Sequence, residues 1–390
     1  MFNPQQQELS DNLSLIINTG KTGIVLIEGD AGTGKTYTVV ETIKSLNVPV
    51  AKLCLCAPTD TSKDNLVLTL DRYPAKTIYS LLGYYPEPNH DGVMELINPD
   101  IEKEVPFYII IVDEIFCVPN VLIMDMYTRQ DILWIVLGDE GQLKAIGDDT
   151  PILKDPDFQF LYQTTLTKQE RSLSTCYPII QAIKEQGNLY RPEYYLPQNR
   201  FFENFYDAAR EGKNVVYVAY TNAAVNEAAA KIRLNLYEPE DEKPIVGEKL
   251  KMKRLFNFSG TKKLIFNNEI VTVTEVAKDG FFVNNKRGLN IFCPYMEYDE
   301  NGISYLDLAK QEIDEAETPF LKKKGWVKWY KILERYARWI SPFSSTAHLL
   351  QGTTVEEAFL DYGDLLRCTN DPNLIYSAAS RARHFVHFKR

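Results

Sequence analysis

Residues 27–37 read IEGDAGTGKTY, and within them Gly29, Ala31, Gly32, Thr33, Gly34, Lys35 and Thr36 keep the spacing GxxxxGK followed by Ser or Thr. That spacing suits a nucleoside triphosphate. Small residues let backbone N–H groups close around phosphate oxygens, Lys35 reaches the outer phosphates, and Thr36 offers a hydroxyl to Mg²⁺. A second apolar run, IIIV, ends in Asp113 and Glu114. A buried strand would thus deliver one carboxylate to the Mg²⁺ shell and a second placed to polarise an attacking water. A third apolar run ends in GDEGQL (138–143), with Gln142 in position to sense the terminal phosphate. Alone, Gly-Asp-x-x-Gln is a weak signal; its place directly after the Asp–Glu strand gives it weight. The paired acids, with no NKxD sequence to read guanine, point to ATP over GTP.

Strands must hold these groups. GIVLIEG (23–29), VAKLCLCAP (50–58), FYIIIVDE (107–114) and ILWIVLGD (132–139) are short, apolar throughout and rich in β-branched residues. Such runs predict a parallel sheet covered by helices on both faces. A second series starts at NVVYVAYTN (214–222) and closes with IYSAASRARHFVHFK (375–389), with a helix of strong formers predicted over 223–237. The fold class expected is therefore α/β, two such units in tandem. Two stretches interrupt them. Residues 84–106, rich in Pro, Gly and Asn, predict a hairpin or protruding loop, and 264–283 predict short antiparallel strands in a β-rich insertion.

The stretch GWVKWYKILERYARWI (325–340) sets Trp326, Trp329, Tyr330, Leu333, Tyr336, Ala337 and Ile340 on one helical face. Aromatics interleaved with bases suit a nucleic-acid platform, but the preferred expectation is an amphipathic helix packing them into a core.

Composition bounds the rest. With 390 residues, two or three cores are expected. No apolar run is long enough to span a membrane, and the polar start MFNPQQQEL predicts no secretory leader. The six cysteines form no CxxC pair, which favours free thiols in a reducing cytoplasm. His384 and His387 lack nearby ligands, so a terminal strand is expected there rather than a metal site. A net charge of −10 argues mildly against wholesale coating of nucleic acid yet permits a local basic track.

Taken in order, GDAGTGKT, VDE and GDEGQL resemble motifs I, II and III of superfamily 1 helicases. FNPQQQ is similar to their Q motif, which places Gln6 against adenine, with Gln5 and Gln7 leaving the register open. APTDTSKDNL (57–66) resembles motif Ia, AKTIYSLLG (75–83) the next DNA-contacting segment, and LTKQERS (166–172) motif IV, with Arg171 as an arginine finger. AYTNAAVNEAAAKIR (219–233) resembles the opening of the second motor domain. SSTAHLLQGTTVEEAFLD (344–361) resembles motif V, and YSAASRAR (376–383) resembles motif VI, with Arg381 as a second finger. Order and spacing are most similar to the Dda-like group in the RecD-related, 5′-to-3′ branch, and the likeness runs along nearly the whole chain. Departures exist: Leu349 stands where relatives carry lysine, Ser380 replaces threonine, motif Ia lacks paired alanines, and motif III continues LKAIG.

The resemblance implies two RecA-like domains. The first would take residues 1–83 and 107–172, the second 173–239 and 341–390, with a hairpin at 84–106 and an SH3-like insertion at 240–340. It implies ATP and Mg²⁺ as cofactors, with Lys35, Asp113, Glu114, Gln142, Arg171 and Arg381 catalytic. Single-stranded DNA would cross Pro58, Thr59, Thr77, Thr346 and His348; Tyr84, Tyr85 and His90 would either meet the fork or pack the hairpin onto its own domain. The partners implied are single-stranded and forked duplex DNA, with a single-stranded-DNA-binding protein or replisome component besides. A monomer in a bacterial or phage-infected cytoplasm, without membrane contact and serving replication or repair, is the expected setting. Two alternatives stay open: a translocase that displaces proteins without processive unwinding, and a nucleic-acid-binding accessory protein with a degenerate ATP site. A nuclease fusion is not expected, because the motifs run from near residue 6 to near residue 383.

Overall fold

Strands apolar on both faces can pair only beneath covering layers. In the computed structural model β1 (Gly23–Gly29), β2 (Leu53–Ala57), β3 (Ala75–Thr77), β6 (Ile109–Val112), β7 (Leu133–Gly138) and β8 (Tyr162–Leu166) form one sheet, ordered β3-β2-β6-β7-β1-β8. Every pairing in it is parallel. The structure describes all residues except 1, 68, 99–103, 143, 146–149, 171–175, 254, 257–262, 266–267, 286–287, 300–301, 369–370 and 372. The described chain divides into two compact units, residues 1–83, 100–225 and 345–390 in one, and 84–99 with 226–344 in the other.

The first unit holds two lobes, each with its own sheet. In lobe 1, α1 (Pro4–Asn18) and α2 (Lys35–Leu46) set Leu9, Leu13, Val39 and Ile43 against Val25, Ile27, Ile111 and Ile135. Each such side chain, fully buried, contributes about 1.5–3 kcal/mol. The opposite face of the sheet, with Leu26, Ile110 and Trp134, is equally closed. The shorter helices of this lobe are α3 (Asp60–Val67), α4 (Ile78–Leu82) and α5 (Asn120–Thr128).

Lobe 2 is built on β9 (Val215–Ala219), β17 (Ser344–Thr346), β18 (Val355–Asp361) and β19 (Ala382–Lys389), ordered β17-β9-β18-β19. β18 runs parallel to both neighbours. Its helices are α6 (Tyr177–Gln186), α7 (Gln198–Arg210), α11 (Tyr362–Leu365) and α12 (Leu374–Ala379), while α8 (Asn222–Tyr237) begins here and lies mostly in the second unit. Ile180 and Ile183 of α6 share a core with Val216, Val218, Ala358, Leu360 and Ile375. The α/β class with parallel sheets is thus the fold observed. His384 and His387 lie on β19, where His387 Nε2 sits 2.9 Å from Glu357.

The second unit is antiparallel. β10 (Lys249–Met252), β13 (Glu269–Val276), β14 (Gly280–Asn284), β15 (Asn290–Pro294) and β16 (Trp339–Ile340) run β15-β14-β13-β10-β16, with β11 (Leu255–Phe256) and β12 (Lys263–Ile265) as a separate pair. The hairpin predicted within 84–106 forms from β4 (Tyr85–Pro88) and β5 (Met94–Ile97). Its turn is set by the Asn89 side chain, which accepts from Asp91 N at 2.9 Å and Val93 N at 3.0 Å. Here the helix expectation needs correcting. α9 (Tyr305–Asp314) is followed by α10, which spans Pro319–Leu333 and stops well short of Ile340. Trp339 and Ile340 instead pair with Met252 and Lys251 as an edge strand.

No side chain of α10 is fully buried, so its aromatics do not enter a core. They seat the hairpin. The Trp326 indole lies against Gly92, where a Cβ would come within 2.5 Å of the ring. Tyr330 Oη donates to Gly92 O at 3.3 Å, and Lys323 pairs with Glu87 at 2.7 Å. Among the described residues no helix is long and apolar enough to cross a membrane. Phe266 and Asn267, within the stretch 264–283, lie outside the described residues.

Candidate nucleotide and catalytic site

Register decides where the chemistry gathers. Glu28 stands level with Gly138, and Val112 with Val136, so β1, β6 and β7 end on one edge of the lobe 1 sheet. In open parallel sheets that carboxyl edge is where ligands bind. There a cavity of about 820 Å³ opens, lined from lobe 1 by Gln6, Gly34, Lys35, Thr36, Asp113, Glu114 and Gln142 and from lobe 2 by Gly352, Arg381 and Arg383.

The phosphate-loop residues behave as their types require. Lys35, first residue of α2, folds back so that Nζ donates to Gly29 O at 2.5 Å and Asp30 O at 3.1 Å. Burial lowers its pKa against the pull of Asp139, Glu114, Asp113 and Asp30. A buried ammonium resting on carbonyls is a poor charge pair, and an anion at the loop would relieve it. Ala31, Gly32 and Gly34 face the cavity. Thr33 turns inward, its hydroxyl donating to Asp30 O at 2.9 Å, and Gly29 shapes the turn with φ +151°.

Thr36 Oγ1 lies 3.4 Å from Asp113 Oδ2. A hydroxyl beside a carboxylate is an oxygen donor set that fits Mg²⁺. Burial and the adjacent Glu114 raise the Asp113 pKa to about 6, from an ordinary 3.8. The folded protein therefore keeps this proton up to about pH 6, whereas the unfolded chain releases it near 3.8. Stability contributed by this group falls as pH rises through that window, and the deficit persists at neutral pH. Asp113→Asn should accordingly raise the melting temperature of the nucleotide-free protein by several degrees at pH 7.5, with a gain that shrinks toward pH 5. A gain independent of pH, or none, contradicts this.

Arg381 comes from the far end of the chain, between α12 and β19, and is 7% exposed. Its Nη1 donates to Glu114 Oε1 at 3.1 Å, its Nη2 to Gln142 Oε1, and its Nε to Ser377 O at 3.3 Å. Burial works against its charge, but Glu114 outweighs it and holds the pKa above the ordinary value. A lobe 2 guanidinium thus rests on two side chains that end lobe 1 strands. Arg171, the other expected finger, lies outside the described residues.

The remaining expectations divide. Gln6 is the glutamine that faces the loop: Nε2 donates to Thr33 O at 3.3 Å, while Oε1 closes the α1 cap by accepting from Asn3 N at 3.1 Å. Gln5 pairs with Thr167 and Gln7 with Asp11, both away from the cavity. Thr59 and Thr77 accept from Ser62 N at 3.1 Å and Ser80 N at 3.2 Å, which makes them helix caps as well as candidate strand contacts. Thr346 accepts from Leu349 N at 3.3 Å and is buried, whereas Pro58 and His348 are half-exposed. Tyr85 is 43% exposed on the hairpin, and His90 pairs with Asp91 at 3.3 Å.

Sequence reasoning passed over Asp139. Buried, it accepts from Ala31 N at 2.9 Å, Gly141 N at 3.0 Å, Gln142 Nε2 at 3.2 Å and Tyr376 Oη at 2.8 Å. Both Asp139 and Tyr376 stand inside motifs already singled out, but only distances show that they meet.

The AAA domain family matches residues 14–148, the span that carries the phosphate loop, Asp113, Glu114 and Gln142. Two Danio rerio proteins named as helicases, mov-10-B.2 and mov-10-B.1, are each 31% identical over 106 and 107 residues, about a quarter of this chain. The matched stretch amounts to only 10% of either protein. Among solved structures, a Pif1 helicase described at forked double-stranded DNA superposes with TM-score 0.58 at 16% identity, covering 100% of this chain and 92% of that one. The Bacteroides Pif1 helicase with ADP-AlF3 and single-stranded DNA gives 0.57 at 16% identity over the same shares. Pif1 from Candida albicans gives 0.53 at 14%, covering 100% of this chain and 95% of that one. At such identities the likeness establishes the fold: this chain has the α/β architecture of the Pif1 helicases.

Proposed function

We infer that this protein is an ATP-hydrolysing DNA helicase of superfamily 1, moving 5′ to 3′ on single-stranded DNA, with the Dda-like group as its nearest functional counterpart. One observation carries the reading: Arg381 of lobe 2 reaches Glu114 and Gln142 of lobe 1 across the cavity that holds the phosphate loop. A hydrolytic site completed by a second lobe makes hydrolysis depend on lobe closure, which is how a motor couples chemistry to movement.

In this reading Lys35 and the Ala31–Thr36 backbone bind the phosphates, and Gln6 lies toward the base. Thr36 and Asp113 would hold Mg²⁺, which supplies charge neutralisation on the phosphates when bound. Glu114 takes the proton from the attacking water, Gln142 senses the terminal phosphate, and Arg381, with Arg171, stabilises charge as it develops. Pro58, Thr59, Thr77, Thr346 and His348 track the DNA backbone without reading bases. Tyr85 and His90 meet the fork; an aromatic–base stack there contributes about 1–3 kcal/mol. The two lobes serve as the RecA-like domains, the hairpin as the strand separator and the β-rich unit as its support. The Pif1 relatives are described at forked double-stranded DNA and with single-stranded DNA, which favours DNA over RNA as substrate.

Duplexes with a 5′ or a 3′ single-stranded tail test the polarity. With ATP and Mg²⁺ the 5′-tailed duplex should be unwound and the 3′-tailed one left intact. Unwinding from the 3′ tail alone would reverse the assignment. Hydrolysis stimulated by DNA but without unwinding of either duplex would favour a translocase.

A further inference from the structure

The phosphate loop is held from lobe 2 as well as from its own lobe. Asp30 and Ala31, consecutive loop residues, each have a tether that ends in the other lobe. The Asp30 carboxylate accepts from Lys184 Nζ and, at 3.2 Å, from Gln181 Nε2, both on α6. Ala31 N donates at 2.9 Å to Asp139 Oδ2, and the same oxygen accepts from Tyr376 Oη of α12 at 2.8 Å. Burial and the Asp139 carboxylate push the Tyr376 phenol up, so the hydroxyl keeps its proton and acts as donor. The two tethers adjoin: Lys184 Nζ lies 5.8 Å from the Tyr376 ring centroid. At Gly141 a Cβ would come within 2.9 Å of the Tyr376 ring and 3.1 Å of Lys184, so glycine permits the approach. None of these side chains belongs to the hydrolytic set of Lys35, Glu114, Gln142 and Arg381, and Asp139 also accepts from Gln142 Nε2 at 3.2 Å.

We propose that Tyr376, acting through Asp139, and Lys184, acting through Asp30, are positioning residues by which lobe 2 sets the conformation of the phosphate loop and hence its affinity for nucleotide. This rests on the reading of the cavity as an ATP site. The reasoning is preorganisation. A loop fixed before the ligand arrives binds with less ordering cost, and the contact differs from the Arg381 grip, which bears on the catalytic side chains. Lobe 2 therefore has one handle on binding and another on hydrolysis.

The separation is measurable. Dissociation of a fluorescent mant-ATP probe without nucleic acid, and KM and kcat for ATP with saturating oligo-dT, are compared for wild type, Tyr376→Phe, Lys184→Met, Asp30→Asn and the Lys184→Met/Asp30→Asn double variant. Tyr376→Phe and Lys184→Met should each weaken mant-ATP binding and raise KM by about three- to tenfold, with kcat kept within about twofold, because binding common to ground and transition states is what is lost. The double variant should match Asp30→Asn, which by itself already removes the carboxylate that Lys184 and Gln181 both hold. Unchanged binding and KM, a fall in kcat at constant KM, or additive losses in the double variant overturn the proposal. Should Tyr376→Phe melt well below wild type, the more exposed Lys184–Asp30 pair carries the test by itself. A wild-type protein that neither binds mant-ATP nor hydrolyses ATP defeats the ATP-site reading. A wild type that does both, beside variants that behave identically, defeats only the tethers.

Discussion

Arg381→Ala lowers kcat for ATP hydrolysis by about 10³ while nucleotide affinity stays within a few-fold of wild type. The guanidinium donates to Glu114, Gln142 and the Ser377 carbonyl from a buried position, so its geometry is fixed before any ligand is bound. In the proposed reading this charge faces the terminal phosphate, and a charge fixed in advance there acts on the transition state far more than on the bound ground state. The loss should therefore fall on kcat. Arg381→Lys recovers little, because one ammonium cannot span two partners as a planar guanidinium does. Single-turnover hydrolysis read beside equilibrium nucleotide binding checks this. A variant with normal kcat, or one whose defect is entirely in binding, removes Arg381 from the role assigned to it.

Lys35→Met has the second large effect. Hydrolysis should fall by on the order of 10²–10³, as expected when a preorganised donor to the transferred group is lost. The thermal behaviour discriminates further. Burial holds the Lys35 pKa down, so its charge is kept in the folded state at a cost, which the neutral side chain abolishes. Without nucleotide the variant should melt higher than wild type. With nucleotide in excess, wild type gains about 2.7 kcal/mol at a hundredfold over Kd, and the variant gains little. Equal nucleotide-induced shifts in the two proteins would contradict a phosphate contact from Lys35.

Much of the fold was legible because both faces of its central strands are apolar. GIVLIEG, IIIV and LWIVLG can be satisfied only inside a covered parallel sheet, and each ends where the polar residues begin. Once those strands are parallel and in register, the phosphate loop, Asp113 and Gln142 must share an edge. The 325–340 segment misled for a physical reason. Its spacing stays helical through Tyr336 and Ala337, but Trp339 and Ile340 gain more as an edge strand against Met252 and Lys251 than as another helical turn. Local pattern lost to tertiary pairing. The seating of Trp326 on Gly92 was likewise out of reach, since residues far apart in sequence meet there through no shared period.

Within the site, spacing pointed to the lysine and the carboxylates, and the family resemblance pointed to the arginine. It could not show that Asp139 joins Ala31 to Tyr376, or that Asp30 faces Lys184, because those partners are brought together only by the packing of two lobes. The threonines expected along a DNA path also cap helices, so one residue type carries two explanations at those positions.

The most direct test of the coupling between the ATP cavity and nucleic acid is the steady-state rate of ATP hydrolysis with and without a single-stranded DNA oligonucleotide, with Lys35→Met as background. If the hydrolytic site shared by the two lobes responds to DNA, the oligonucleotide raises kcat by about tenfold or more, a fraction of the roughly 10³–10⁵ that an arginine finger can supply. A rate that is the same with and without DNA contradicts the account.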